Sequence, residues 1–258
     1  MKHRVKTRYC FDWDTFIKAF ILFGFWGLLA WLNWTQQLTL YIHAKFSGIV
    51  TLAGYLLLPL FLIQFMTIIR PVGNNCCSHQ HSRFLTYIPF LLFLTLAFGL
   101  QTNTLNATMA ANKGLTTEKS ITPSTLQMSR PLAGKQLSSI PVTDQDYTEI
   151  MNELEFFSQD YIGKEISMTG FVFRPPAVSS TQFSLVRYVI ICCVADALPY
   201  GVLCELKNAG SYEDGTWLSI QGVIGHAVYE EKSVPVVKIT SVKKIKEPKS
   251  PYVFPPAE

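Results

Sequence analysis

The sequence predicts an α-helical membrane region of three spans, followed by a soluble all-β domain: a five-strand barrel of OB type preceded by one helix. Three observations predict it. Residues Phe46 to Ile69 run for 24 positions without a charge, long enough to cross a hydrocarbon core of ~30 Å as a helix. Two more apolar runs flank this one, and none of the three carries the polar stripe of a helix lying on a soluble core. Beyond residue 143, one stripe of helical period gives way to five strand-like runs rich in β-branched residues.

The spans are expected at about 16–34, 46–69 and 84–102. Charge is divided unequally: residues 1–100 carry eight Lys/Arg against Asp12 and Asp14, whereas the remainder carries 14 basic and 16 acidic residues. The basic balance of the whole chain therefore reports membrane topology rather than a nucleic-acid footprint, which needs a basic patch on the folded domain. Lys2, Arg4, Lys6, Arg8, Arg70 and Arg83 fall on one side of the spans, and Lys45, Lys113 and Lys119 on the other. Excess Lys/Arg marks the cytoplasmic side. The amino terminus and second connection are thus expected inside, with residues from about 103 outside. No small-residue cleavage site follows the first run, so it reads as a span rather than a removable signal. Trp13, Trp31, Trp34, Tyr41 and Tyr87 sit near span ends, as interface aromatics do.

Residues 103–142 read as a linker rich in Thr, Asn, Ser, Ala and Pro, without period. Thr143 or Asp144 is the expected helix cap, with Asp146 in the first turn. Tyr147, Ile150, Met151, Leu154, Phe157 and Tyr161 form the apolar stripe, and Gly163 ends the helix. Strands follow at 164–173, 183–195, 201–207, 216–229 and 234–245, making an OB-like domain over 143–247 and leaving a Pro-rich tail at 248–258. Gly170, Gly222 and Gly225 suit the coiling that barrel closure imposes. An open antiparallel sheet capped by the helix is the structural rival.

Two constellations carry candidate chemistry. Cys76, Cys77, His79 and His81 crowd four soft or borderline ligands into one short loop on the expected inner side, a composition suited to zinc, copper, nickel or cobalt. The spacing matches no structural zinc motif, which needs separated ligand pairs. A plain solvated loop and palmitoylation of a cysteine remain open beside metal capture. The second constellation is Cys192, Cys193 and Asp196, joined by Cys204. On a continuous strand, the two adjacent cysteines point to opposite faces. A hairpin closed by Asp196 to Gly201 places Cys193 across from Cys204, within reach of a disulfide in an oxidising compartment. Buried thiols, a metal or ligand site including Cys192 and Asp196, and that disulfide all stay open. Thiolate and imidazole donors point to a transition metal such as zinc.

His226 reads as a barrel histidine and His43 as an interfacial one. The spans are nearly free of ionisable groups, whereas a lone transporter needs a polar path; Thr51, Gln64 and Thr67 are the candidates in the second span. Pro59 and Pro89 are kinks that a membrane helix tolerates. No nucleophile elbow, phosphate loop, dinucleotide fingerprint, zinc-protease helix or CxxC pair is present, so no enzymatic activity is expected.

Tyr41-Ile42-His43 opening the second span, the Cys/His loop, Gly170-Phe171-Val172, and above all Arg187-x-x-Ile190-x-Cys192-Cys193-x-Ala195-Asp196-Ala197 resemble the YcgQ-like family of bacterial membrane proteins. The resemblance covers nearly the whole chain. It implies a permease subunit whose gene neighbours that of a multi-span permease. It carries over no catalytic residues, and relatives can hold longer histidine runs in the loop than this chain does. The resulting expectation is a non-enzymatic accessory subunit of a cell-membrane permease complex, for a transition-metal ion or other small solute. Its expected partners are a multi-span permease subunit and the lipid bilayer, with no nucleic acid. The rival is a membrane-anchored envelope sensor whose barrel captures a ligand.

Overall fold

A computed structural model describes residues 9–11, 13–71, 84–99, 105, 130–134, 138–175, 178–229 and 232–255. The chain divides into two compact units, one of residues 1–39 and 44–103, the other of residues 40–43 and 104–258.

The first unit is helical. Helices α1 (Trp13–Trp34) and α2 (Ala44–Met66) span 22 and 23 residues, or about 33 and 35 Å at helical rise. Both are long and apolar enough to cross a membrane. Helix α3 (Phe84–Gly99) is shorter, at 16 residues; the remainder of the run expected to residue 102 lies outside the described residues. The second run is also trimmed. Thr67 folds back onto the Gln64 carbonyl through its amide (3.1 Å) and its hydroxyl (2.8 Å), stopping α2 three residues before Ile69. Ile69–Pro71 (β2) instead pairs antiparallel with Tyr9–Phe11 (β1). The helices meet through small residues and rings: a Cβ on Gly24 would come within 2.7 Å of Leu94 Cδ1, and Phe25 stacks on Phe93 at 5.7 Å. Between α1 and α2 lies a cleft of about 430 Å³ whose lining includes Asn33, Ser47, Thr51 and Tyr55.

The second unit is the barrel. Strands β4 (Glu165–Phe173), β5 (Gln182–Val189), β6 (Leu198–Glu205), β7 (Trp217–Tyr229) and β8 (Lys232–Lys244) form a closed ring in the order β4-β7-β8-β6-β5 and back to β4. Only the β6–β8 pair within the ring is parallel. Five strands with this order make the Greek-key barrel of the OB fold, as the sequence predicts, and not the open sheet. Closure requires β4 to pair with β7 along most of its length and with β5 at its end. Gly170 stands at that fork, where a Cβ would lie 2.7 Å from the Val186 carbonyl oxygen. Gly222 sits at the β7 bulge, 2.5 Å from the Lys238 oxygen by the same construction. A Cβ on Gly225 would meet nothing nearer than 3.7 Å, so that position needs no such relief, which corrects the sequence reading.

Helix α4 (Tyr147–Phe157) and the following 3-10 turn pack Tyr147, Ile150, Met151, Leu154 and Tyr161 onto the barrel interior, with Phe157 partly buried against it. The expected cap is displaced. Asp146 occupies the N-cap position, and its Oδ1 accepts from the Thr143 amide (2.6 Å) and hydroxyl (2.8 Å). Glu153, off the expected stripe, is buried; it accepts from the Leu132 amide (2.9 Å) and from the Tyr161 hydroxyl. Parts of the expected linker and tail dock here. Ser139–Pro141 (β3) pairs parallel with β4, and Tyr252–Val253 (β9) pairs parallel with β5.

Candidate functional site

The hairpin joining β5 to β6 is wider than its sequence suggests. Strand β5 ends at Val189 and β6 begins at Leu198, with Val194–Asp196 forming a 3-10 turn between them. Cys192 and Cys193 therefore lie in a turn rather than on a strand, and their side chains are not forced to opposite faces. The Cys192 Sγ reaches the Cys193 Sγ at 3.7 Å. Asp196 is what builds this turn: its Oδ1 accepts from the Ile191 amide (3.1 Å), and its Oδ2 from the amides of Cys192 (2.7 Å) and Cys193 (3.3 Å). Three amides that would otherwise extend the strand ladder are spent on one carboxylate, so the strand stops at residue 189.

The backbone of Cys192–Val194 is held from its other side as well. The His43 amide donates to the Cys192 carbonyl (3.0 Å), the Val194 amide donates to the Tyr41 carbonyl (2.8 Å), and Ile42 bridges Cys193 in antiparallel fashion. His43 itself is buried, its ring edge-on to Phe254 at 4.9 Å.

This geometry corrects the expected cysteine pairing. Cys204 lies opposite Phe183, ten residues earlier in the chain than Cys193. Pro199 and Gly201, read as turn residues, belong to β6, where a Cβ on Gly201 would fall 2.0 Å from the Leu185 carbonyl oxygen. Cys204 is fully buried, and burial pushes its thiol up to about 12. Cys192, Cys193 and Cys204 are all free thiols, so of the readings left open the Cys193–Cys204 disulfide is not formed.

Among the described residues, Cys192, Cys193 and Asp196 bring their ligand atoms within 4.8 Å of one another. Cys192 is exposed, while Cys193 and Asp196 are half-buried. The Asp196 carboxylate, and after it the Cys193 thiol, hold the Cys192 thiol up at about 12. Burial works against the charge on Asp196, but the hydrogen bond from Cys192 and the amides of Cys192, Ile191 and Cys193 outweigh it, leaving its carboxyl below the ordinary range. Cys76, Cys77, His79 and His81 lie outside the described residues.

Arg187 has a role that the sequence reading missed. It is buried, donating to the carbonyls of Pro251 (3.1 Å) and Ser250 (2.9 Å) and to Asp144 (2.8 Å), with its guanidinium over the Trp217 ring. It thereby clamps the carboxyl-terminal segment to β5, and Ile190 donates to Val253 just before the cysteine turn. The available signal was an arginine set between Val186 and Tyr188 in a strand whose apolar residues are all buried. His226 bonds Ser233 through Nδ1 (3.1 Å), consistent with a barrel histidine.

Comparison with known proteins places both units. The DUF1980 N-terminal domain matches residues 17–116 and the DUF1980 C-terminal domain residues 119–255. The UPF0703 protein YcgQ of Bacillus subtilis is 27% identical over 92% of this chain and 98% of its own length. A Streptococcus mutans protein named "Putative two-component membrane permease complex subunit" is 24% identical over the same shares. Among solved structures, the N-terminal domain of PriB from Thermoanaerobacter tencongensis aligns with 32% of this chain and 97% of its own at 18% identity, with a TM-score of 0.23. The chain belongs to the DUF1980 family of YcgQ-like proteins.

Proposed function

We propose that this protein is a non-enzymatic accessory subunit of a two-component membrane permease complex, serving a transition-metal ion or other small solute. Its helical unit sits in the cell membrane with the amino terminus in the cytoplasm, and its barrel faces the outside. The observation that carries the reading is the surface of α2. Only Gly54 of that helix is buried, while Ile49, Leu52, Leu56, Leu60 and Ile63 point outward without cover. Such a surface calls for lipid or another apolar helix. The full-length likeness to the Streptococcus mutans subunit favours a helical partner.

Strand pairing supports three crossings despite the shortness of α3. Residues 40–43, which connect α1 to α2, belong to the barrel unit and pair with residues 192–194. That connection and the barrel must then share one side, so the chain between them crosses an even number of times. With α2 crossing, α3 crosses too. The charge distribution favours the outside for that shared side.

Co-purification at native expression in mild detergent tests the role: the tagged chain is expected to bring down a multi-span partner, and capture of none would favour the anchored-sensor reading. A reporter fused after Glu258 tests the orientation, and cytoplasmic activity from it would overturn the assignment.

A further inference from the structure

We infer that Cys192, Cys193 and Asp196 form an exchangeable site for a thiophilic divalent cation, with two thiolates and one carboxylate oxygen as ligands and a fourth position open. This deepens the permease reading by naming the cargo class, and it rests on that reading for its biological meaning.

The geometry is that of a metal bite. Two Zn–S bonds of ~2.3 Å at a tetrahedral angle separate their sulfurs by ~3.8 Å, and the two Sγ atoms here stand 3.7 Å apart. Linear coordination, as two-coordinate copper(I) adopts, would spread them to roughly twice a bond length, about 4.6 Å by the same figure. The third donor is already fixed. Asp196 is anchored by three backbone amides, two on Oδ2 and one on Oδ1, so a lone pair of Oδ1 is left to meet an ion without dismantling the turn. Those amides orient the ligand as outer partners do in built metal sites.

The side chains also have little structural work to do. Asp196, Tyr41 and His43 satisfy the backbone of the turn, and Cys192 is exposed, so its thiol is not required for packing as the buried Cys204 is. Four-ligand closed sites hold structural zinc, whereas three protein ligands leave a position for an incoming group. A three-donor site on an exposed turn therefore suits capture and release to a neighbouring protein. Cys204, locked opposite Phe183, takes no part.

Cobalt(II) alone, added to the reduced full-length chain in detergent, tests this. The background carries Cys10→Ser, Cys76→Ser, Cys77→Ser, His79→Ala and His81→Ala, so that other soft ligands stay silent. The expected result is about one cobalt per chain with thiolate-to-metal charge transfer and the strong visible bands of tetrahedral coordination, displaced by zinc. Cys192→Ser or Cys193→Ser should weaken binding at least ~100-fold and remove the charge-transfer band, while Asp196→Asn should keep the band and weaken binding at least ~10-fold. Resistance of Cys204 to alkylation in each variant verifies that the barrel is folded. Absence of the band in the background chain, or its survival in the Cys192→Ser/Cys193→Ser variant, would overturn the site. An unchanged affinity in Asp196→Asn would overturn the three-donor set. Partner capture is read separately, so loss of the metal site and loss of the permease role cannot be confused.

Discussion

The two units handle apolar surface in opposite ways. Helix α2 buries Gly54 alone, whereas seven of the eight residues of β5 are buried, Phe183 through Val189. The barrel completes its own core, closing the ring and roofing it with α4, so its stability resides in backbone fit. The helical unit leaves many of its long side chains facing outward, and its helices meet one another through side-chain contacts such as Gly24 with Leu94 and Phe25 with Phe93. Glycines make the difference concrete. A Cβ on Gly170, Gly201 or Gly222 of the barrel would first strike a carbonyl oxygen of the neighbouring strand; one on Gly24 of α1 would strike the tip of a leucine.

The largest effect should therefore come from Gly201→Ala. A Cβ there would lie 2.0 Å from the Leu185 oxygen and 2.8 Å from the Val186 Cα, and neither backbone atom can swing aside. A loss of ~4 kcal/mol, near the top of single-residue effects, is expected, seen as rapid alkylation of Cys204 in the otherwise native chain. Stability within about 1 kcal/mol of the parent would show that the barrel yields as a helix pair does.

Arg187→Met comes next. It withdraws three charged hydrogen bonds, leaving the Pro251 and Ser250 carbonyls without their donor, while Asp144, at 57% side-chain exposure, turns to water. Because one partner rehydrates, the cost should be ~3 kcal/mol rather than the full penalty of a broken buried pair. Limited proteolysis should release the segment around Tyr252 before the barrel itself is cut.

Much of this contrast was legible in the sequence, and the reason is periodicity. Uninterrupted apolar runs and a 3.6-residue stripe declare helices, and β-branched runs declare strands, so four of the five barrel strands begin within two residues of their expected starts. The exception, β6, starts three residues early. Its error came from Pro199 and Gly201, residues that usually punctuate turns but here serve a close strand approach. The same error misplaced the site: it set Cys193 against Cys204 and hid the three-amide grip of Asp196 that frees the cysteines from the strand. Long-range partners, such as residues 40–43 on the cysteine turn or Glu153 under Leu132, leave no local period to read.

Cys204 offers a test confined to the barrel. Its thiol is pushed up to about 12 by burial, against an ordinary value near 9. The neutral thiol is the form the fold tolerates, so the barrel feels no effect below pH ~9, where folded and unfolded thiols are both protonated. Above it the unfolded state ionises first, and stability falls by at most ~1.4 kcal/mol per pH unit as pH rises toward the folded value. Cys204→Ala should flatten denaturant midpoints between pH 9 and 10, before the buried tyrosines titrate. The flattening is partial, because the Cys192 thiol is also held up, by Asp196 first. An equally steep decline in Cys204→Ala would mean that the thiol is not confined.

The smallest effects sharpen the comparison most, because they set a helical glycine against a barrel glycine of equal sequence appearance. A Cβ on Gly24 would meet Leu94 Cδ1 at 2.7 Å, closer than any real contact, yet the atom it meets ends a flexible side chain on α3. A change of leucine rotamer relieves it, so Gly24→Ala should cost ~1 kcal/mol at most, with some return from alanine's higher helix propensity. Gly225→Ala, in a barrel where glycines look indispensable, meets nothing nearer than 3.7 Å and should stay within ~0.5 kcal/mol of the parent. Thermal unfolding of both variants in the same detergent compares them directly. If Gly24→Ala proved as damaging as Gly201→Ala, the α1–α3 contact would be a rigid backbone fit, as close strand approach is in the barrel.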